Sequence, residues 1–383
     1  MDHRLAALQT LRRDLHRNPD LSGDEGGTVA RLLPVLAATQ PSRIMQGLGG
    51  HGLALVYDSG RAGPTILLRA ELDALPIREL GDIAHRSQRD GVAHLCGHDG
   101  HMAVLVGMAQ HLQSTPPPRG RVILLFQPAE ETGAGARAVL ADPRFADLRP
   151  DWAFALHNMP GLPVGALAVA AGPASCASVG IKLHFHGVEA HAAFPETGRS
   201  PAPALAALLD MVAPLTQVPP MGPAFQLATL CHMAMGTPAF GIAPAQAEAW
   251  ITLRALSDDG LAALEHQVTG QAAELAARFA LTLTTTRHDH FNATINDAQA
   301  ADMVAQAADA ACIPRTAFNF PMRPSEDFGA FSAQTHTALF FMGSGVDCAP
   351  LHNPAYDFPD ILITPACAVF EGILAQVWAN TRD

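Results

Sequence analysis

Apolar positions in residues 3–17 recur at helical spacing through Leu5, Leu8, Leu11 and Leu15, and residues 28–38 repeat the pattern. Two strand-like runs follow, at 53–57 and 65–69. A helix is predicted from His101 to Leu112, ended by the triple proline at 116–118. Residues 121–126 read as a strand buried on both faces, and 153–156 as another. The rhythm changes near residue 175. Residues 179–185, 226–233 and 246–253 alternate apolar and polar, and helical stretches fall at about 201–213 and 258–279. Near Asn292 the chain returns to a helix at 302–311 and a buried strand at 337–341. The pattern predicts an α/β domain with a central, mostly parallel sheet flanked by helices, built from 1–173 and 288–383. A second, α+β domain with antiparallel strands is inserted at 174–287.

At 383 residues the chain is longer than one core usually supports, which agrees with two domains. Hydrophobic residues make up 49% and charged ones only 16%, which excludes a disordered chain. A formal net charge of −12 argues against nucleic acid or an anionic membrane as partner. The amino-terminal stretch has no apolar signal core, and no apolar run of spanning length is expected, so a cytoplasmic protein is anticipated. Six scattered cysteines, at 96, 176, 231, 312, 348 and 367, suit reduced thiols rather than a disulfide framework.

Candidate chemistry sits where apolar runs end. Val92-Ala-His-Leu-Cys-Gly-His-Asp-Gly-His101 packs Cys96, three imidazoles and Asp99 into ten residues. Thiolate, imidazole and carboxylate are the ligand types that hold zinc and its first-row neighbours. Gly97 and Gly100 are expected to let the backbone turn tightly there. Asp73, the pair Glu130-Glu131 and His157 each follow a buried run, where open α/β sheets place their sites. Adjacent side chains on an extended segment point opposite ways. One of two neighbouring carboxylates can thus bind a metal while the other serves as general base. Taken singly, each feature has an ordinary reading: a solvated acid pair, a structural histidine, an inert buried cysteine. The functional case rests on the set.

These segments together resemble the M20 family of metallopeptidases and amidohydrolases, in the branch with hippurate hydrolases, N-acyl-amino-acid amidohydrolases, diaminopimelate deacetylases and indole-acetyl-amino-acid hydrolases. The likeness runs from Leu11-Arg-Arg-Asp-Leu-His-Arg-Asn-Pro-Asp20 through Leu68-Arg-Ala-Glu-Leu-Asp73, the Cys96 segment, Phe126-Gln-Pro-Ala-Glu-Glu131 and Leu156-His157. It continues at Ala190-His-Ala-Ala-Phe-Pro195, Ser325-Glu-Asp-Phe328 and Leu351-His-Asn-Pro354. The resemblance implies two divalent metal ions (Zn, Mn, Co or Ni) held by Cys96, His98, Glu131, His157 and His352, with Cys96 bridging. It implies Glu130 as general base and acid, and Asp73 orienting a histidine ligand. The inserted domain would be the family's lid and dimerisation domain, making a homodimer. His191 would stabilise the oxyanion, often from the partner subunit, and Arg254 would meet the substrate carboxylate. The substrate expected is an N-acyl amino acid, cleaved at its amide bond.

The chain departs from the family pattern in the lid. Gly241-Ile-Ala-Pro-Ala245 stands where Asn-Val-Ile-Pro-Asp is usual, which removes an amide that helps recognise the substrate. Asn158 is a candidate to fill that place. Glu71 replaces a usual Asp, Val188-Glu-Ala-His191 a usual Lys-Gly-Gly-His, and Ser200 a common Asp. Two other functions fit the same residues: a metallo-carboxypeptidase or dipeptidase, and a non-catalytic metal-binding or redox-sensing protein. Retention of Glu130 argues against the last, since a mere binder has no need of a base.

Overall fold

A computed structural model of the chain describes residues 2–217 and 220–380. It divides into two compact units, one of Met1–Ala174, Thr294–Phe320 and Asp327–Asp383, the other of Ser175–Ala293 with Pro321–Glu326.

The larger unit is built on a seven-stranded sheet. Its strands are β1 (Arg43–Leu48), β2 (Gly52–Asp58), β3 (Thr65–Glu71), β4 (Arg121–Gln127), β5 (Trp152–Pro160), β6 (Leu167–Ala168) and the strand His336–Gly345. The spatial order is β1-β2-β4-β3-β5, then His336–Gly345, then β6. The four central strands run parallel, and the outer pairings are antiparallel. Every residue of β3 is buried, as are all but the first of β4. That is why these strands read as continuous apolar runs: helices cover both faces and leave no polar side.

The covering helices include α1 (Asp2–Arg17), α2 (Gly26–Ala37) and α3 (His98–Ser114), with Ala298–Ala310 and the carboxyl-terminal Ile363–Asn380. By length and composition the span Asp360–Asn380, mean hydropathy 1.6, is apolar enough to cross a membrane, which the apolar-run count did not anticipate. In the fold its Ile363, Ala366, Val369, Phe370 and Ile373 are buried in the core of this unit, so its apolarity has a packing explanation.

A buried charged network ties the first helix to the rest. Arg12 pairs with Asp99, Asp357 and Asp360 at 3.4, 2.7 and 2.7 Å. His16, wholly buried, donates to Asp99 at 2.9 Å and to Glu79 at 3.1 Å. Burial opposes the His16 charge, but the bonds to Asp99 and Glu79 outweigh it and lift its pKa from 6.5 to about 9. A raised folded-state pKa gives stability that is complete below 6.5 and lost as the pH rises through about 9. The shift corresponds to about 3 kcal/mol. The urea midpoint is thus expected to fall between pH 7 and 10, and His16→Gln should start lower but lose less over that window. Equal slopes in the two proteins would sink this account.

The smaller unit has a four-stranded antiparallel sheet, ordered Gln226–Met235, Gln246–Ala255, Ala177–His186, Thr282–Phe291. Ala177–His186 alternates: Val179, Ile181, Leu183 and Phe185 face a core shared with the helices Ala202–Val212 and Asp258–Arg278. Ser257 caps the longer helix, accepting from the Gly260 N–H at 3.1 Å.

Candidate metal centre

The carboxyl ends of the parallel strands gather the candidate ligands. Asp73 lies just past β3, Glu130 and Glu131 just past β4, and His157 within the last turns of β5. Cys96 precedes α3, and His98 is its first residue. Gly97 caps that helix with φ 94°, a left-handed conformation, and an added Cβ would lie 2.2 Å from Asn158 Oδ1. Gly100 makes no turn, contrary to expectation. It sits inside α3, where a Cβ would strike the Phe358 ring at 2.4 Å. Two non-glycine residues of the site loops are also left-handed, Ala129 (φ 49°) just before Glu130, and His352 (φ 63°) itself. Such residues cost about 1 kcal/mol or more, and the surrounding fold must enforce them. His352 is held by its backbone N–H, which donates to the Leu95 carbonyl at 2.8 Å.

Of the clusters whose ligand atoms lie within 4.8 Å of one another, three overlapping ones hold the expected ligands: Cys96, His98 and His157; Cys96, Glu131 and His352; His98, Glu130 and Glu131. Cys96 belongs to two of them. Its Sγ is 3.5 Å from His157 Nε2. Glu131 reaches toward His98 Nε2 with one oxygen (3.9 Å) and toward His352 Nε2 with the other (3.5 Å). Glu130 Oε2 is 3.8 Å from His98 Nε2. These residues can bind two divalent metal ions.

The surroundings fit cations. His98 Nδ1 donates to the Asp73 carbonyl at 2.8 Å, and His157 Nδ1 to the Asn158 carbonyl at 2.7 Å. With Nδ1 as the donor, Nε2 is in each ring the nitrogen left to offer a lone pair. His98 Nε2 is buried and has no hydrogen-bond partner, as a ligand nitrogen would be before its ion arrives. Burial pushes the Cys96 thiol well above its usual range, and Glu131 pushes it further. A bound cation would offset both effects and favour the thiolate. Burial, with His101 behind it, holds His157 down at about 3, so its imidazole is neutral and able to coordinate.

Asp73 touches three parts of the site. Its carboxylate is 3.7 Å from His98 Nδ1 and accepts from Ser22 Oγ at 2.6 Å and from the Glu131 N–H at 3.0 Å. Burial works against its charge, but the His98 contact holds its pKa below the ordinary value. Asp73→Asn should weaken metal binding about 10–100-fold, read by titration against a chelator. Unchanged affinity would show that His98 is fixed by other contacts.

The structure also holds residues the sequence did not single out. Arg69, Gln127 and Asp327 form a buried polar knot beneath the sheet ends: Arg69 Nη2 donates to Asp327 at 2.6 Å and Nε to Gln127 at 3.0 Å. Glu71 joins it through Arg69 and accepts from His101 Nδ1 at 2.6 Å. Asn158, expected at the substrate, is instead fully buried and engaged. Its Oδ1 meets His101 Nε2 at 2.6 Å, and its amide nitrogen donates to Tyr356. Each end of its amide thus has a partner within this unit.

In the smaller unit, His191 lies on a two-residue strand, Ala190–His191, paired with Ile242–Ala243. The Ala193 N–H donates to His191 Nδ1 at 3.1 Å. With Nδ1 accepting, Nε2 is the ring nitrogen left to donate. A Cβ at Gly241 would meet nothing within 4 Å.

Comparison with known proteins returns the same family. The sequence profile of peptidase family M20/M25/M40 matches residues 67–376. A hippurate hydrolase of Campylobacter jejuni is 28% identical over 367 residues, covering 95% of this chain and 94% of its own. An N-acetyldiaminopimelate deacetylase of Shouchella clausii is 30% identical over 339 residues, covering 87% and 88%. Among solved structures, a Bacillus subtilis protein described as a dinuclear metal binding peptidase from the M20 family superposes with a TM-score of 0.81 at 26% identity. That match covers 98% of this chain and 99% of the other.

Proposed function

The chain belongs to peptidase family M20/M25/M40, a metal-dependent hydrolase of amide bonds, and from that premise we propose that its substrates are N-acyl amino acids. The observation that carries the proposal is Cys96, shared by two ligand clusters with Glu130 beside them. The two curated relatives are named for hippurate and N-acetyldiaminopimelate, both N-acyl amino acids.

In this reading Cys96, His98, Glu131, His157 and His352 hold two divalent cations. The mixed thiolate, imidazole and carboxylate set admits Zn, Mn, Co or Ni. Bound cations would supply an activated water and polarise the scissile carbonyl. Glu130 takes the proton of the attacking water on its carboxylate and passes it to the leaving nitrogen. Asp73 keeps His98 in one tautomer. The His191 Nε2–H donates to the carbonyl oxygen as negative charge builds on it, and Arg254 binds the substrate carboxylate. All six cysteines are free, which suits a reducing cytoplasm.

The test is a hydrolysis screen of acetyl-, benzoyl- and indole-acetyl amino acids, with added divalent metal and with chelator. Metal-dependent release of the free amino acid is expected. Cleavage of dipeptides alone would reassign the enzyme as a dipeptidase, and no cleavage of either class would sink the proposal. A homodimer through the smaller unit, with His191 serving the partner's site, predicts that mixed His191→Ala and Glu130→Gln subunits recover part of the activity. No recovery despite proven subunit exchange would place His191 elsewhere.

A further inference from the structure

Glu130 sits on a turn that must be held in an unfavourable shape. Ala129, just before it, is left-handed with φ 49°, a conformation that a residue with a Cβ rarely adopts unaided. Both backbone polar groups of Ala129 are engaged. Its carbonyl accepts from the Gly135 N–H at 3.0 Å, and its N–H donates to Glu25 Oε1 at 2.8 Å. On the other side of Glu130, the Glu131 N–H donates to Asp73 at 3.0 Å. Two carboxylates thus bracket Glu130, one holding the residue before it and one the residue after it.

Glu25 stands on a firm base. It immediately precedes α2, and its own carbonyl accepts from the Val29 N–H at 3.0 Å. Asp20 Oδ2 accepts from the Thr28 N–H at 2.6 Å and from Thr28 Oγ1 at 2.9 Å, and the Asp20 carbonyl accepts from the Ala74 N–H at 2.8 Å. Segment 20–25 is therefore tied both to α2 and to the chain just past β3. α2 is anchored in turn through Val29, Leu32 and Leu36 in the core of this unit. The Glu25 side chain is wholly buried, and its Oε1 also accepts from the Gly23 N–H at 2.8 Å. Burial raises its pKa, the mark of a carboxyl with little to offset the loss of water. For stability alone an apolar side chain of similar size would avoid that cost. What the carboxyl adds is an acceptor at the N–H of Ala129.

We infer that Glu25 is a positioning residue for the general base: through the Ala129 N–H it holds the left-handed turn that presents Glu130, while Asp73 separately holds Glu131. This rests on the role proposed for Glu130 above. Removing the Glu25 acceptor lets the turn relax and displaces Glu130, whereas Glu131 keeps its own anchor. Proton transfer should suffer, and metal binding should not. A displacement of about 1 Å can cost about a hundredfold in rate.

The experiment compares two variants. Glu25→Leu keeps the bulk and removes the acceptor, and Glu25→Gln keeps an acceptor oxygen at the same reach. Glu25→Leu should lower kcat on an N-acyl amino acid about ten- to a hundredfold, with KM and metal content near those of wild type. Glu25→Gln should restore most of the rate. Hydrogen exchange gives a readout that needs no substrate. Peptides spanning 127–133 should exchange faster in Glu25→Leu than in wild type or Glu25→Gln, and those of α2 should not. A merely structural role would instead lower the melting temperature and cost the two variants alike. Unchanged exchange in Glu25→Leu would overturn the inference. So would metal loss in step with kcat, or a Glu25→Gln as slow as Glu25→Leu. If Glu25→Leu does not fold, Glu25→Asp, whose shorter arm withdraws the oxygen from Ala129, takes its place in both measurements. If no N-acyl amino acid is cleaved, the proposed function fails, and exchange decides the Glu25 anchor alone: faster exchange at 127–133 supports it, and unchanged exchange overturns it.

Discussion

Glu130→Gln should keep its metal and lose turnover, with kcat falling about 10²-fold or more, whereas Glu131→Gln should lose metal. The geometry separates the two carboxylates. Glu131 belongs to the cluster with Cys96 and His352 and also to the one with His98, and its two oxygens face different imidazoles. Among the described residues Glu130 shares the His98 cluster but belongs to none that holds Cys96 or His352. A carboxylate at the rim of the cluster can hold a proton between water and leaving group, while one at its centre has its oxygens committed. The amide of Gln has nearly the shape of the acid but cannot accept and return a proton. A fall in kcat with KM and metal content preserved is therefore the signature of lost proton transfer. Metal loss in Glu130→Gln, with retention in Glu131→Gln, would reverse the two roles.

The parts of the fold set by local pattern were readable in the sequence. β3 and β4 appear as unbroken apolar runs because they are buried on both faces, and Ala177–His186 alternates because helices cover one face of its sheet. What depends on distant partners was not readable. The strand expected to stop at Arg69 runs on to Glu71, because Arg69 is neutralised by Asp327, 258 residues away. α3 begins at His98 rather than after His101, so this candidate ligand belongs to a helical turn and not to a loop. The strand Thr282–Phe291 was missed because its exposed, threonine-rich residues show no apolar alternation. The candidate metal ligands were legible because their types are rare together. The bonds of the Asn158 amide to His101 and Tyr356 were not readable, because nothing in its sequence neighbourhood announces those distant partners.

Cys96→Ala should carry the other large effect: loss of most bound metal and of nearly all activity. Cys96 is the one side chain shared by the cluster holding His157 and the cluster holding His352. Removing it takes a ligand from both positions at once, whereas removing either histidine takes a ligand from one. Its surroundings leave little to compensate. Cys96, His98 and His157 are buried, and the two histidines are locked by their Nδ1 hydrogen bonds, so neither ring can swing to fill the gap. Packing alone predicts something milder. A cysteine that was merely a small apolar filler would cost about 1–2 kcal/mol on truncation and leave the metal in place. Elemental analysis after desalting separates the two cases, because only a ligand changes stoichiometry. Cys231→Ser, at an exposed thiol of the other unit, should leave metal content as in wild type. A second readout is thermal: added metal should raise the melting temperature of wild type, since it binds only the folded site, and raise that of Cys96→Ala far less. Equal metal content in wild type and Cys96→Ala would end the case for a shared thiolate ligand, and the two clusters would then have to be read as separate, independent sites.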